Sequence, residues 1–152
     1  MRFNHVSISA RDLEASARFY CEVFGMERLP APDFPHARVA WLRLGDQQLH
    51  LFESDDPGPA RHHLGLDVDD FEGAYRRARE LGIIDHDTMM AGVYELADGA
   101  AQMYLRDPAG NLIELCWPDA ATLDRDLFGP VRRLVDDRPQ CGEAARARLY
   151  VS

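Results

Sequence analysis

Two stretches of this chain, HVSISARDLEAS from His5 and HLGLDVDDFEGA from His63, run alongside one another at a constant offset of 58 residues. His5 falls on His63, Asp12 on Asp70, Leu13 on Phe71 and Glu14 on Glu72. An internal repeat of this kind means one supersecondary unit built twice, and it constrains the fold more than any composition does. Each copy opens with a strand. Val6 and Ile8 alternate with His5, Ser7 and Ser9; Leu64, Leu66 and Val68 alternate with His63, Gly65 and Asp67. One face is apolar and the other polar, the pattern of a half-buried strand.

A helix follows each strand. Asp12 is placed to cap a helix over Leu13–Phe24 with an apolar stripe at 13, 16/17, 20 and 23/24 and Gly25 as its stop. Asp69 or Asp70 caps the second, with Phe71, Ala74/Tyr75, Ala78 and Leu81 as the stripe and Gly82 as the stop. Three strands are expected after each helix. In the first copy they lie near Met26–Leu29, Arg38–Leu44 and Gln47–Glu53. In the second they lie near Thr88–Met90 or Tyr94–Leu96, then Gln102–Arg106 and Asn111–Trp117. Turn residues sit between them at Gly45-Asp46, Asp98-Gly99 and Pro108-Ala109-Gly110. The chain therefore reads as α+β, βαβββ twice. The modules are 1–55 and 61–118, within one domain 1–118, joined by the polar ESDDPGPAR. Residues 119–152 form a tail with a helix near Ala121–Leu127.

Composition narrows the partners. With 46% hydrophobic residues, 152 residues suffice for one domain or two packed modules. A net charge of −9 disfavours nucleic acid and anionic membrane surfaces. No apolar run approaches a membrane span. MRFNHVSIS is already strand-like rather than a leader, which gives the expectation of a cytoplasmic protein. Cys21, Cys116 and Cys141 form no CxxC pair and suggest no disulfide framework. Cys21 is expected in the core and Cys141 exposed.

The polar faces carry the chemistry. In QLHLF, His50 alternates with Leu49 and Leu51; in LIELC, Glu114 alternates with Ile113 and Leu115. His5, His50, His63 and Glu114 thus occupy the polar sides of first or last strands. Parity also separates the adjacent histidines of RHHLGLDV: His63 is in register with this face and His62 is not. Imidazoles with a carboxylate are ligands for first-row transition metals. The same residues could also be hydrogen-bonded strand histidines lining a groove.

The arrangement resembles the vicinal oxygen chelate superfamily, which includes glyoxalase I, extradiol dioxygenases, methylmalonyl-CoA epimerase, fosfomycin-modifying enzymes and metal-free bleomycin-binding proteins. The resemblance rests on NHVSISARDLEASARFYCEVFGM, HHLGLDVDDFEGA and YLRDPAGNLIEL and covers residues 3–118. It implies two βαβββ modules forming a curled mixed sheet around a metal cleft. It implies metal ligands at His5, His63 and Glu114, with His50 at a fourth, more variable position. The metal implied is divalent, Fe(II) or Mn(II) foremost, then Zn(II), Ni(II) or Co(II). In many relatives modules from two chains complete one site, which implies a homodimer.

Departures bear on the reaction. In glyoxalase I the fourth position is a carboxylate or amide, and an arginine four residues after the first ligand grips glutathione; here these places hold His50 and Ser9. Extradiol dioxygenases bind Fe(II) with two histidines and a glutamate, and a third histidine at the place of His50 serves as acid/base. Their Tyr-x-x-Asp-Pro-x-Gly-x-x-x-Glu segment is matched by Tyr104, Asp107, Pro108, Gly110 and Glu114. They also carry a histidine shortly before that tyrosine, which VYELADGAAQM lacks. The resemblance thus implies catalytic roles for His50 and Tyr104, and Tyr104 equally suits a packed aromatic in the cleft wall. The foremost expectation is extradiol-type oxidation of a small catecholic or vicinal-oxygen substrate. The alternatives are a glyoxalase- or epimerase-like lyase/isomerase and a non-catalytic small-molecule binding protein.

Overall fold

The computed structural model describes residues 3–56 and 58–150. Met1, Arg2 and the linker's Pro57 lie outside the described residues. Contacts divide the chain into two units: one holds the chain up to His62 together with Arg106–Asn111, the other His63–Leu105 together with the chain from Leu112 on.

The first unit runs β1 (His5–Ala10), α1 (Leu13–Phe24), β2 (Glu27–Leu29), β3 (Val39–Leu44) and β4 (Gln47–Glu53). The Asp12 carboxylate accepts the Ala15 N–H at 2.9 Å, and Gly25 closes α1 at φ 66°, a left-handed cap that needs no Cβ. Leu13, Ser16, Ala17 and Tyr20 are the buried side of α1. They pack on a sheet of order β1-β4-β3-β2, whose matching face carries Ala40, Leu42, Leu49 and Leu51. β1 pairs parallel with β4, placing Ser7 beside His50, and Trp41 of β3 stands opposite His50. The face away from the helix therefore presents His5, Trp41 and His50.

The loop 106–111 belongs to this unit and explains most of the Asp-Pro-x-Gly motif. Asp107 Oδ1 accepts the N–H groups of Ala109 and Asn111 at 2.9 and 2.8 Å, and its Oδ2 accepts the Tyr20 hydroxyl at 2.9 Å. Asn111 Nδ2 donates to the Ser9 carbonyl at 2.8 Å. Gly110 sits at φ 87°. Asp107 and Gly110 are thus turn builders, and burial with the Asp107 charge holds the Tyr20 phenol protonated.

The second unit runs β5 (His63–Asp67), α2 (Phe71–Leu81), β6 (Ile84–Asp85), β7 (Val93–Glu95), β8 (Ala101–Arg106, its last residue falling in the loop above) and β9 (Leu112–Trp117). Asp70 rather than Asp69 caps α2, accepting the Gly73 N–H at 2.8 Å. The sheet order is β10-β7-β8-β9-β5, with β6 beside β8 and β5 parallel to β9. Both sheets are mixed and neither closes on itself, which is the expected α+β architecture; the first unit is βαβββ, and the second repeats that order with one added two-residue strand, β6.

Of the two places expected for the first strand after α2, Tyr94–Leu96 is the one overlapped by β7; at Thr88–Met90 the Asp85 carboxylate accepts the N–H groups of Asp87 and Thr88, and Met90 lies at φ 54°, so that segment turns. Two local expectations need correction. The expected helix at Ala121–Leu127 is broken into a 3₁₀ turn, Ala120–Thr122, and a short α3, Arg125–Phe128, because Asp119 and Asp124 each start a cap. Cys21 is half-buried rather than core, while Cys141 is exposed as expected. The tail continues through β10 (Val131–Arg133), parallel to β7, and α4 (Leu134–Asp137). It is anchored by Phe128, which is buried with its ring edge-on to Tyr75 at 4.9 Å. Among the described residues no helix is long and apolar enough to cross a membrane.

Candidate metal centre

The candidate ligands occur as two pairs, one in each unit. Among the described residues no three His, Cys, Asp or Glu side chains are grouped to hold an ion.

In the first unit His5 and His50 stack face to face, with ring centroids 4.3 Å apart and planes 12° from parallel. Trp41 stacks on the other side of His50 at 4.4 Å and 7°. The stack follows from the strand register, which puts the three rings on one face. His5 Nδ1 lies 2.6 Å from Asn4 Oδ1, an acceptor. Nδ1 therefore carries the proton and Nε2 keeps its lone pair, the tautomer a metal ligand needs. His50 Nε2 lies 2.9 Å from Gln48 Oε1, so there the proton is on Nε2 and the lone pair on Nδ1. Nitrogen lone pairs lie in the ring plane. Two nearly parallel imidazoles cannot both aim them at one ion, so His50 in this arrangement is not a co-ligand of His5. Burial, and then the nearby His5, push the His50 pKa below the ordinary imidazole value, which favours the neutral ring.

In the second unit His63 Nε2 lies 3.3 Å from Glu114 Oε2. Two ligands bound at about 2.1 Å to one ion at right angles stand about 3 Å apart, so this pair has the spacing of adjacent ligands. Gly65 of β5 is the register partner of Glu114, which places His63 two residues away on the same face. His62 precedes the strand, is exposed, and donates its N–H to the Pro59 carbonyl at 3.0 Å. The parity argument therefore separates the two histidines as expected.

Glu114 is buried, 5% exposed, and is surrounded by donors. Tyr104 donates its hydroxyl to Oε2, in a short hydrogen bond. Gln102 Nε2 and Cys116 Sγ both donate to Oε1, at 2.6 and 2.9 Å. Burial foremost, then the Glu114 contact, pushes the Tyr104 phenol and the Cys116 thiol well above their ordinary pKa values, so both remain donors. The ten-residue spacing of Tyr104 and Glu114 has a simple origin. Asp107 N–H bonds the Asn111 carbonyl, and counting outward along both strands from that bond brings 104 opposite 114. Sequence reasoning missed Gln102, Cys116, Trp41 and Gln48. The first two share strand parity with Tyr104 and Glu114, a signal that could have found them.

Each unit by itself offers donors of the kind a divalent first-row ion takes: in the first, His5 with its Nε2 lone pair, and in the second, His63 beside a Glu114 carboxylate that is held by hydrogen bonds.

Comparisons with known proteins agree on family. The family model described as Glyoxalase/Bleomycin resistance protein/Dioxygenase superfamily matches residues 2–115. A protein named Glyoxylase I 4 from Arabidopsis thaliana is 27% identical over 74% of this chain and 68% of its own. A Lactoylglutathione lyase from Neisseria meningitidis is 28% identical over 73% of this chain and 94% of its own. The crystal structure of Lactoylglutathione lyase from Agrobacterium tumefaciens superimposes with a TM-score of 0.57 at 27% identity, covering 76% of this chain and 92% of that one.

Proposed function

Because the chain belongs to the glyoxalase/bleomycin resistance protein/dioxygenase superfamily, we propose that it is a divalent-metal enzyme of the extradiol-dioxygenase type, acting as a homodimer on a small catecholic or vicinal-oxygen substrate. The ion is held by His5, His63 and Glu114, and Fe(II) or Mn(II) suits this two-histidine, one-carboxylate set best. Bound there, the metal supplies open positions for two vicinal oxygens and for dioxygen.

The observation that carries the reading is the different state of His50 and Glu114. Glu114 is paired with His63 at ligand spacing. His50 is stacked flat on His5 with Nε2 engaged by Gln48, so its Nδ1 lone pair is left for a proton rather than for the ion. His50 takes a proton from a substrate hydroxyl and returns it later. Tyr104 keeps its proton and, from Glu114, offers an oxygen to the substrate. Ring cleavage places both atoms of O₂ in the product, so no further reductant is needed.

A second reading, a glyoxalase-type lyase, is favoured by the names of the relatives from Neisseria and Agrobacterium. Against it stand Ser9 and His50 at the two places named above. Metal analysis of protein purified without oxygen, followed by oxygen uptake on a panel of catechols, tests the choice. One iron or manganese per site with catechol-dependent oxygen uptake supports the dioxygenase. Turnover of the methylglyoxal–glutathione hemithioacetal without oxygen uptake supports the lyase and overturns the first reading.

A further inference from the structure

Glu114 has two oxygens, and the surrounding side chains treat them differently. Oε1 receives two donors, Gln102 Nε2 at 2.6 Å and Cys116 Sγ at 2.9 Å. A carboxylate oxygen has two lone-pair directions, so Oε1 is saturated. Oε2 receives one donor, Tyr104, and faces His63 Nε2 at 3.3 Å. Its second lone-pair direction lies on the side of the proposed ligand His63. The four residues Gln102, Tyr104, Glu114 and Cys116 are each less than 8% exposed, so water does not compete for these contacts.

From this asymmetry we infer that Gln102 and Cys116 are positioning residues that tie up Oε1 of Glu114 and make it a one-oxygen ligand through Oε2. The inference rests on Glu114 being a metal ligand, as proposed above. Its consequence is for the substrate. Three one-point ligands leave three positions on a six-coordinate ion, enough for two vicinal oxygens and one small molecule. A carboxylate bound through both oxygens would remove one of them. Both positions share the strand parity of the site, Gln102 two residues before Tyr104 on β8 and Cys116 two residues beyond Glu114 on β9.

Cobalt(II) is the probe, titrated into metal-stripped full-length protein and followed by visible absorption. Wild type, Glu114→Ala, Gln102→Met, Cys116→Ala and Cys116→Ser are compared. Methionine matches glutamine in length and buries readily, so Gln102→Met removes the donor with little change of volume. The expected result is cobalt affinity about 10- to 100-fold weaker in Gln102→Met, with weaker, shifted visible bands as the second carboxylate oxygen joins the ion. Cys116→Ala changes the bands in the same direction, and Cys116→Ser, which restores a donor, returns them to wild type. That rescue separates positioning from packing, and it decides the matter alone if Gln102→Met does not fold. Wild-type affinity and bands in both Gln102→Met and Cys116→Ala overturn the inference. So does an intense near-ultraviolet thiolate-to-cobalt band in wild type that is lost in Cys116→Ser, because Cys116 would then itself be a ligand. If Glu114→Ala leaves cobalt affinity unchanged, the metal assignment fails rather than its refinement.

Discussion

β4 and β9, the closing strands of the two copies of the repeat, occupy equivalent places and carry His50 and Glu114. In the first unit the imidazole lies flat between His5 and Trp41. In the second the carboxylate places Oε2 3.3 Å from His63 Nε2 and is held by three donors. The scaffold is the same, and the side chains it carries separate the two outcomes: His50 with Trp41 across from it in the first unit, Glu114 with Tyr104, Gln102 and Cys116 around it in the second. A planar ring next to a planar ring gains by stacking, which turns its lone pairs away from a shared ion. A carboxylate beside a ring has nothing to stack and accepts hydrogen bonds instead, leaving one oxygen directed at the neighbouring imidazole. A duplicated frame can thus yield a ligand pair on one side and a ligand with a proton carrier on the other.

The comparison can be broken most severely at β5. His63→Ala is expected to abolish binding of the metal, whereas His62→Ala, at a position outside the strand, leaves it in place; metal content per chain after dialysis measures both. Equal losses would mean that the strand register does not govern the site. Next in size is His50→Gln, which keeps a polar side chain at the stack. Turnover on the substrate found by the catechol panel should fall roughly 10²- to 10⁴-fold, the loss expected when a general acid/base is removed. Undiminished turnover would reduce His50 to part of the wall.

Smaller effects probe the frame itself. Tyr20→Phe deletes a buried hydrogen bond to the charged Asp107 and should lower unfolding stability by about 2 kcal/mol in urea denaturation. No loss would mean that the loop 106–111 does not depend on α1. Smallest are the helix caps. Asp12→Ala and Asp70→Ala each remove one side-chain bond to a first-turn N–H and should each cost about 1 kcal/mol. Unequal costs would show how far the two copies have diverged in stability.

What was legible in the sequence follows the same physics. The strand and helix order could be read because alternation and the 3.6-residue stripe repeat in both copies, and because Asp and Gly stand at the ends of both helices. Parity alone separated His63 from His62. The tail was legible only as a single helix, since its anchor, Phe128 against Tyr75, is a long-range packing contact with no local pattern. Thr88–Met90 and Tyr94–Leu96 both read as a strand, and the strand lies at Val93–Glu95 because Asp85 draws the N–H groups of Asp87 and Thr88 into a turn. The stacking of His50 and the three donors on Glu114 depend on rotamers and on cross-strand neighbours. A one-dimensional pattern gives the face on which a side chain lies, but not which of its atoms is engaged.

The central claim is that Glu114 holds the metal and its counterpart His50 does not. Metal content of Glu114→Ala and His50→Gln, prepared in parallel and loaded with the same divalent ion, tests it most directly. The account predicts that Glu114→Ala loses the ion, its affinity falling by more than the roughly 100-fold ascribed to supporting residues, while His50→Gln retains wild-type occupancy. Loss of the ion from His50→Gln, or its retention by Glu114→Ala, would contradict the account.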